Sequence, residues 1–482
     1  MLHLYLGRPS INQLLSYYNT LLLLRFFSIN DPFRFAMLFL LVVGGSIPIL
    51  QYSAGTTILE LKGMVLGEVL RGNFLYTQII DDTPPLMALV ERGLSILFDR
   101  SIWARHILAL LLIFLQATYF GYFLVNKITR KGSIYIPALL YVCVCYLAFG
   151  VISFSAELLG STFLLLALYY LISEVECLTG QKTFAVHIGM CLGISTLFVF
   201  VHWVFLIASV LVMVFLYRRS LQNILLLIVG FSLVHAVLWM VYFWMDGTVE
   251  LWANFYKVNL VTGGSNLITM NLMLRLGAIP FLYLAFSFFY LILVKKASKK
   301  YSYIYQIYFF WLIFGVIVVL LSPNRTLHSF FPLIPFLIYF INRYFFSMKR
   351  RWLAEILVLV FVVAMSFVKF KNHWSRTDVY AGLFPLPIED TSINNKKIMV
   401  LGDYLSMYIK NKPAGFFINW RLSKPYFMEP DYYENIVTIN ESFLQDPPEV
   451  IFDPLNIMSP VMERIPRLKI DYKKVGDTYW RR

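Results

Sequence analysis

Long apolar runs separated by short polar breaks dominate the pattern of this chain. Each run approaches the roughly 20 residues that a helix needs to cross a bilayer. Because no water is available inside a bilayer, the backbone must satisfy its own hydrogen bonds, and continuous helix is the expected conformation. The pattern predicts about eleven membrane-spanning helices, near residues 35–53, 103–126, 133–153, 156–174, 184–199, 201–217, 222–245, 271–294, 303–321, 327–347 and 352–369.

The pattern changes after the last run. Beyond residue 370 the apolar segments are short and prolines punctuate them. Residues 397–403 and 449–453 have the composition of strands, and 404–409 that of a helix start. We therefore predict a helical polytopic membrane domain over 1–369, with a first outer loop at 54–102. A small extracytoplasmic α/β domain over 370–482 follows it.

The placement of charge indicates how the chain is oriented. The formal net charge is +14, and 59% of the residues are hydrophobic. The positive charges form short clusters between apolar runs, which is typical of cytoplasmic loops. With the N-terminus in the cytoplasm, an odd number of spans places the C-terminus outside. The spans exclude a soluble enzyme and a nucleic-acid binder. The clusters are Lys127, Arg130 and Lys131; Arg218 and Arg219; Lys295, Lys296, Lys299 and Lys300; and Lys349, Arg350 and Arg351.

The first outer loop carries the chemistry-bearing residues. Residues 57–71 have apolar and polar positions at helical spacing, which predicts an amphipathic helix beside the membrane. Asp81 and Asp82 follow, and after Thr83 the two prolines Pro84 and Pro85 restrict the backbone. The two carboxylates are therefore expected at the membrane surface.

The order of these features resembles a known family. A first span, an outer amphipathic helix, Gly-x-x-Leu-Tyr at 72–76, Pro-Pro-Leu at 84–86 and Ser-Ile-Trp-Ala-Arg at 101–105 succeed one another. This order is similar to the N-terminal region of the GT-C glycosyltransferases. Its nearest likeness is the branch of protein O-mannosyltransferases and the lipid A aminoarabinose transferase. The stretches at 325–335 and 397–408 extend the resemblance.

The resemblance implies transfer of a sugar from a polyprenyl-phosphate donor to an unknown acceptor outside the cytoplasm. It also implies contact with membrane lipids in a bacterial inner membrane. One departure stands out, because the family opens its first outer loop with Asp-Glu. Counting back from Gly72 gives Ile58 and Leu59, with Glu60 next. Either Glu60 supplies the carboxylate, or Asp81 or Asp82 does, or the site has lost transfer activity.

Such a transfer needs a carboxylate to accept a proton and cations to neutralise the departing lipid phosphate. Arg105, Arg325 and His328 are the candidate phosphate ligands, although Arg105 could instead reach the outer headgroups. Glu157, at the start of the fourth span, is expected to line a central cavity, because ionisable groups at membrane depth face protein or water.

No cofactor is predicted. His187, His202 and His235 lie in separate spans without metal-ligand spacing. Two other functions remain open. The missing Asp-Glu pair favours a non-catalytic scaffold or lipid-binding protein of an envelope assembly. A transporter or flippase is the second alternative, although the chain lacks obvious repeat symmetry.

Overall fold

The computed structural model describes residues 26, 31, 33–52, 56–129, 134–145, 153–176, 183–216, 221–261, 267–294, 299–323, 325–348, 351–374, 385 and 393–482. Long helices form a bundle, and a small sheet follows them. The helices of the bundle and its connections are α1 (Phe33–Tyr52), α2 (Ile58–Val69), α3 (Pro85–Phe98), α4 (Ile102–Phe123), α5 (Tyr135–Cys143), α6 (Ala156–Glu176), α7 (Ala185–Phe198), α8 (Val204–Leu211), α9 (Leu221–Trp244), α10 (Thr248–Leu251), α11 (Val258–Val261), α12 (Met270–Val294), α13 (Lys299–Leu321), α14 (Ile334–Ser347) and α15 (Arg351–Trp374).

The helices confirm a membrane protein but not the predicted number of spans. Four helices of the described chain are long and apolar enough to cross a bilayer: Ile102–Asn126, Ala156–Val175, Leu221–Trp244 and Ser302–Leu321. Other apolar helices, such as Ala185–Phe198, are shorter. The predicted cytoplasmic clusters at 130–131, 218–219, 295–296 and 349–350 lie outside the described residues. The orientation of the chain therefore stays a prediction.

The long apolar stretch at 184–217 is interrupted, as its length predicts. Helix α7 ends at Phe198, and Val199 is extended with φ −139° and ψ 103°. A 3-10 turn over Phe200–Trp203 then leads into α8. The break lies three residues before the predicted division at His202, and it brings backbone to the end of the bundle near α2 and α3.

Helix α14 occupies the centre of the bundle. A 3-10 segment over Leu327–Leu333 precedes it, and every residue from His328 to Asn342 is buried. Aromatic rings from two neighbouring helices close around it. Tyr339 stacks on Tyr308 of α13 at 4.0 Å, and Phe340 contacts Phe288 of α12 at 4.3 Å between ring centroids. By contrast, α9 is mostly exposed, so lipid can solvate its apolar surface.

Helix α2 fulfils the prediction of a helix after the first span. Thr57 caps its N-terminus, since the Thr57 hydroxyl accepts from the Glu60 N–H and the Glu60 carboxylate accepts from the Thr57 N–H. Its polar face is covered by protein, because Glu60 is only 3% exposed. Gly63 and Gly67 face α3, where a Cβ would collide with Glu91, so the two helices approach closely.

The C-terminal region contains a five-stranded sheet. Its strands are β1 (Lys397–Val400), β2 (Lys412–Pro413), β3 (Val450–Phe452), β4 (Tyr472–Val475) and β5 (Thr478–Arg481), in the order β2-β1-β3-β5-β4. Strand β1 runs parallel to β2 and β3, whereas β5 is antiparallel to β3 and β4. The helices of this region are α16 (Trp420–Met428), α17 (Tyr433–Gln445), α18 (Met458–Arg464) and α19 (Pro466–Asp471).

The predicted strands at 397–403 and 449–453 therefore exist in shortened form. The predicted helix start at 404–409 is a 3-10 turn over Leu405–Ile409. The C-terminal domain shares one apolar cluster with α2 and the loop after it, which includes Val65, Ile79 and Phe416. The Ile80 N–H donates to the Phe416 carbonyl at 3.1 Å, and the Arg100 guanidinium donates to the Tyr408 carbonyl at 2.7 Å. These contacts hold the domain against the first outer loop.

Candidate functional site

A cavity of about 160 Å³ lies where α2, α3 and the loop between them meet the ends of the bundle helices. Its far wall is formed by the start of α6, the break between α7 and α8, and Ser322 with Pro323 after α13. Aromatic and aliphatic side chains supply most of the lining. Four ionisable side chains line it as well: Lys62, Asp82, Glu91 and Glu157. Such convergence of a few polar groups in an apolar pocket is typical of ligand sites.

The acid pair at 81–82 is neutralised from two sides. The Lys62 ammonium lies 2.9 Å from Asp82 Oδ1 and 3.4 Å from Asp81 Oδ1. From the C-terminal domain, the Asn419 amide donates to Asp81 Oδ1 at 2.8 Å and to Asp82 Oδ1 at 2.7 Å. Arg421 donates to Asp82 Oδ2 at 2.5 Å. The Thr83 hydroxyl donates to Asp81 Oδ2, so all four carboxylate oxygens have a donor.

The electrostatics follow from this arrangement. Burial raises the pKa of Asp82, but the attraction of Lys62 and Arg421 outweighs burial and lowers the pKa to about 2. Burial lowers the pKa of Lys62, and the two aspartates more than reverse this, so its pKa lies above the usual value. Lys62 is therefore a permanent cation on the wall of the cavity, and Asp82 is a weak base.

Glu60 is buried behind the cavity wall. Its Oε1 lies 3.0 Å from His106 Nε2 of α4, and its other oxygen accepts from the Thr57 N–H and hydroxyl. Burial raises the pKa of Glu60, but the hydrogen bond to His106 and the capping contacts lower it below its usual value. Neither Glu60 nor Asp81 lines the cavity, so the structure does not bring these two predicted carboxylates together in it.

Arg105 is buried with Glu91. Their ion pair measures 2.6 Å between Arg105 Nη2 and Glu91 Oε2, and the two side chains are only 2% and 3% exposed. Burial raises the pKa of Glu91, and the adjacent Arg105 offsets part of that rise. Arg105 itself does not line the cavity, whereas Glu91 does. The position of Arg105 therefore suits orientation of Glu91 more than direct contact with a ligand.

Glu157 lines the cavity at the start of α6, as the sequence predicts. It forms no salt bridge with any residue that the structure describes. His328 bonds with the Ser153 hydroxyl at 2.8 Å, four residues before Glu157. Arg325 donates to the Leu320 carbonyl at 3.1 Å. Arg325 and His328 therefore follow the lining residues Ser322 and Pro323 closely in the chain but do not line the cavity themselves.

The three histidines His187, His202 and His235 have different partners. His187 packs on Tyr170, His202 bonds with Ser195, and His235 bonds with Thr196 and Tyr256. Within the described part of the chain, no three His, Cys, Asp or Glu side chains are grouped as metal ligands.

Sequence reasoning missed four residues of this site: Lys62, Glu91, Asn419 and Arg421. The sequence contains a signal for two of them, Lys62 and Glu91. Lys62 is a lone cation in a mostly apolar helix. Gly63 and Gly67, at a four-residue spacing, indicate close packing of a neighbouring helix, which is the one that carries Glu91. Asn419 and Arg421 are unremarkable in sequence, because they meet the acid pair only through the tertiary fold.

These features define a helical membrane protein with a charged cavity at one end of its bundle. Residues 85–376 match the sequence model of a family described as "Family of unknown function (DUF6427)", and the chain belongs to that family. A search of curated proteins finds no match.

Among solved structures, the chain is similar to the oligosaccharyltransferase of Archaeoglobus fulgidus. The apo crystal structure has a TM-score of 0.49 at 11% identity, covering 87% of this chain and 69% of that one. The form tethered to an acceptor peptide containing the NVT sequon gives the same values. The complex of archaeal AglB with an inhibitory peptide and a dolichol-phosphate has a TM-score of 0.46 at 10% identity, covering 87% and 70%.

Proposed function

We propose that this protein is a membrane-embedded glycosyltransferase of the GT-C type. It takes a sugar from a polyprenyl-phosphate donor and transfers it to an acceptor on the extracytoplasmic side of a bacterial inner membrane. The charge pattern of the loops supports a cytoplasmic N-terminus and an extracytoplasmic C-terminal domain. The motif order at 72–76, 84–86 and 101–105 supports the family resemblance.

The observation that carries the proposal is the composition of the cavity. It combines a permanent cation, Lys62, with a carboxylate, Glu157, that has no salt bridge to a described residue. A transfer of this kind needs both, since the acceptor loses a proton while the departing phosphate gains charge. The cavity lies at the ends of apolar helices, where a lipid tail could stay in the bilayer while its headgroup enters.

In this proposal Glu157 accepts the proton of the acceptor hydroxyl or amine. The acceptor oxygen or nitrogen then bonds to the anomeric carbon, and the bond from that carbon to the donor phosphate oxygen breaks. The phosphate leaves with the electron pair and is stabilised by cations. Lys62 lines the cavity and is assigned this role, while Arg105, Arg325 and His328, which do not line it, stay rival candidates. Glu60, Asp81 and Asp82 stay rival candidates for the base.

A turnover assay on the purified protein in lipid nanodiscs tests these assignments. It would use polyprenyl-phosphate sugars as donors and follow release of polyprenyl phosphate. Substituting the base with its amide should cost about 100- to 10,000-fold in kcat. We expect that loss for Glu157→Gln, and not for Glu60→Gln, Asp81→Asn or Asp82→Asn. Glu441→Gln, at an exposed carboxylate of the C-terminal domain, is the matched control. Full activity of Glu157→Gln would contradict the assignment.

One observation favours a second function, that of a non-catalytic lipid-binding or scaffold protein. Most carboxylates around the cavity already have a partner. Asp82 pairs with Lys62 and Arg421, Glu91 pairs with Arg105, and Glu60 contacts the His106 imidazole. The lowered pKa values of Asp82 and Glu60 make these two carboxylates poor proton acceptors, and Glu91 is held in its ion pair with Arg105. If the wild type binds polyprenyl phosphate but turns over none of the sugar donors, this second function replaces the first.

A further inference from the structure

The acid pair Asp81 and Asp82 is balanced by cations from both domains, and this balance affects the charge of the cavity wall. Asp81 and Asp82 carry two negative charges, and Lys62 and Arg421 carry two positive ones. The sum is zero only because one cation comes from each domain. Asp81 is fully buried and Asp82 is 8% exposed, so bulk solvent screens these charges poorly.

Asn419 has a distinct role in the same cluster. Its single amide nitrogen donates to one oxygen of each aspartate, at 2.8 and 2.7 Å. This bridge holds two adjacent like charges side by side, where they would otherwise repel each other. The Lys62 ammonium donates to Asp82 Oδ1, and both residues line the cavity.

We infer that Asn419 and Arg421 are positioning residues of the cavity. Arg421 supplies one of the two positive charges that balance the acid pair, and Asn419 bridges the two carboxylates. The aspartates therefore hold Lys62 less strongly, and more of its charge acts on an anionic headgroup entering the cavity. This inference rests on the proposed function, and it names the C-terminal domain as part of the donor site. Without Arg421, the cluster carries one net negative charge, which opposes an incoming phosphate and binds Lys62 more tightly to the aspartates.

The other charged groups around the cavity make phosphate binding more dependent on Arg421. Glu91 and Glu157 also line it, so Lys62 is the one cation among its four ionisable lining residues in the described chain. Arg105 is engaged with Glu91 behind the wall. With all groups ionised, the four carboxylates Asp81, Asp82, Glu91 and Glu157 exceed the three cations Lys62, Arg105 and Arg421 by one negative charge. Loss of Arg421 doubles that excess, which an incoming phosphate must overcome.

The test measures binding rather than turnover, with undecaprenyl phosphate and its neutral analogue undecaprenol as probes in nanodiscs. Arg421→Gln should weaken binding of undecaprenyl phosphate roughly tenfold, as expected for one added charge at partly screened distance. Binding of undecaprenol should not change. Arg421→Lys keeps the charge and should retain most of the affinity. Arg464→Gln, on the same domain at an exposed pair with Asp431, is the control and should behave as the wild type.

The double variant Asp82→Asn with Arg421→Gln separates charge from structure. It removes one charge of each sign and returns the cluster to neutrality, so we expect phosphate binding to recover. If Arg421 only holds the domain in place, the double variant should bind as poorly as Arg421→Gln, or worse, and undecaprenol binding should fall in parallel.

Unchanged phosphate binding in Arg421→Gln would overturn the inference, as would failure of the double variant to recover. A wild type that binds neither lipid would also overturn it. A wild type that binds the phosphate without any turnover would refute the transferase while leaving the charge inference intact, so the two failures are distinguishable.

Discussion

The two walls of the cavity treat their carboxylates differently. On the wall built by α2, α3 and the first outer loop, Glu60, Asp82 and Glu91 each lie against a cationic or imidazole side chain. On the wall built by the ends of the bundle helices, Glu157 has no such partner among the described residues. Ion pairs stabilise the first wall. The proposed function gives proton transfer to Glu157, because it is the lining carboxylate without a salt bridge to a described residue.

The largest stability effect should come from breaking the buried pair of Arg105 and Glu91. Arg105→Gln leaves Glu91 without its cation in a buried site, and we expect a loss of about 3–5 kcal/mol. Thermal unfolding of the purified protein in detergent measures it. Arg464→Gln removes a pair with the exposed Asp431 and should cost much less, as surface pairs do. Equal losses in the two variants would remove the distinction between structural and surface charges.

The close approach of α2 and α3 should be the next most sensitive feature. A Cβ at position 67 would collide with the backbone carbonyl of Glu91, which cannot move aside as a side chain can. Gly67→Ala should therefore destabilise the protein by about 1–3 kcal/mol. Gly93→Ala is the matched control, because open space surrounds that helical glycine and alanine favours helix. If Gly67→Ala leaves the stability unchanged, the packing of α2 against α3 is looser than its geometry indicates.

The smallest effect concerns acid pH. The pKa of Asp82 is lowered to about 2 from an ordinary value of 3.8. The interactions of ionised Asp82 therefore stabilise the folded state fully at any pH above about 3.8. That contribution, up to about 2 kcal/mol, is lost as the pH falls through about 2. The unfolding temperature of the wild type should therefore approach that of Asp82→Asn as the pH is lowered. A constant difference between the two proteins at all pH values would contradict a paired Asp82.

Much of the helical layout follows from the apolar runs, because each run is long enough to require hydrogen-bonded helix in lipid. The break between α7 and α8 follows from length alone. Hydropathy does not reveal which runs cross the bilayer fully, since it cannot separate burial in protein from contact with lipid. Helix α14 and helix α9 are both strongly apolar, yet the first is enclosed by protein and the second is largely exposed.

The candidate site was predictable in part. The sequence points to Asp82 and Glu157 through their places beside a proline turn and at the start of a span, and both line the cavity. It also points to Glu60 and Arg105, but their partners turn them away from the cavity. Arg421 could not be found in this way. It lies 339 residues from Asp82 along the chain, and no local periodicity encodes such a contact.

Enclosure of α14 has a consequence for how the protein is made. The helix that fills the centre of the bundle comes late in the chain, after α1 to α13 have been synthesised. A nascent chain that ends before Ile334 lacks the side chains against which Tyr308 and Phe288 pack. Those two rings therefore lack their stacking partners until α14 has been synthesised. The centre of the bundle can reach its final packing only after that late stage of synthesis.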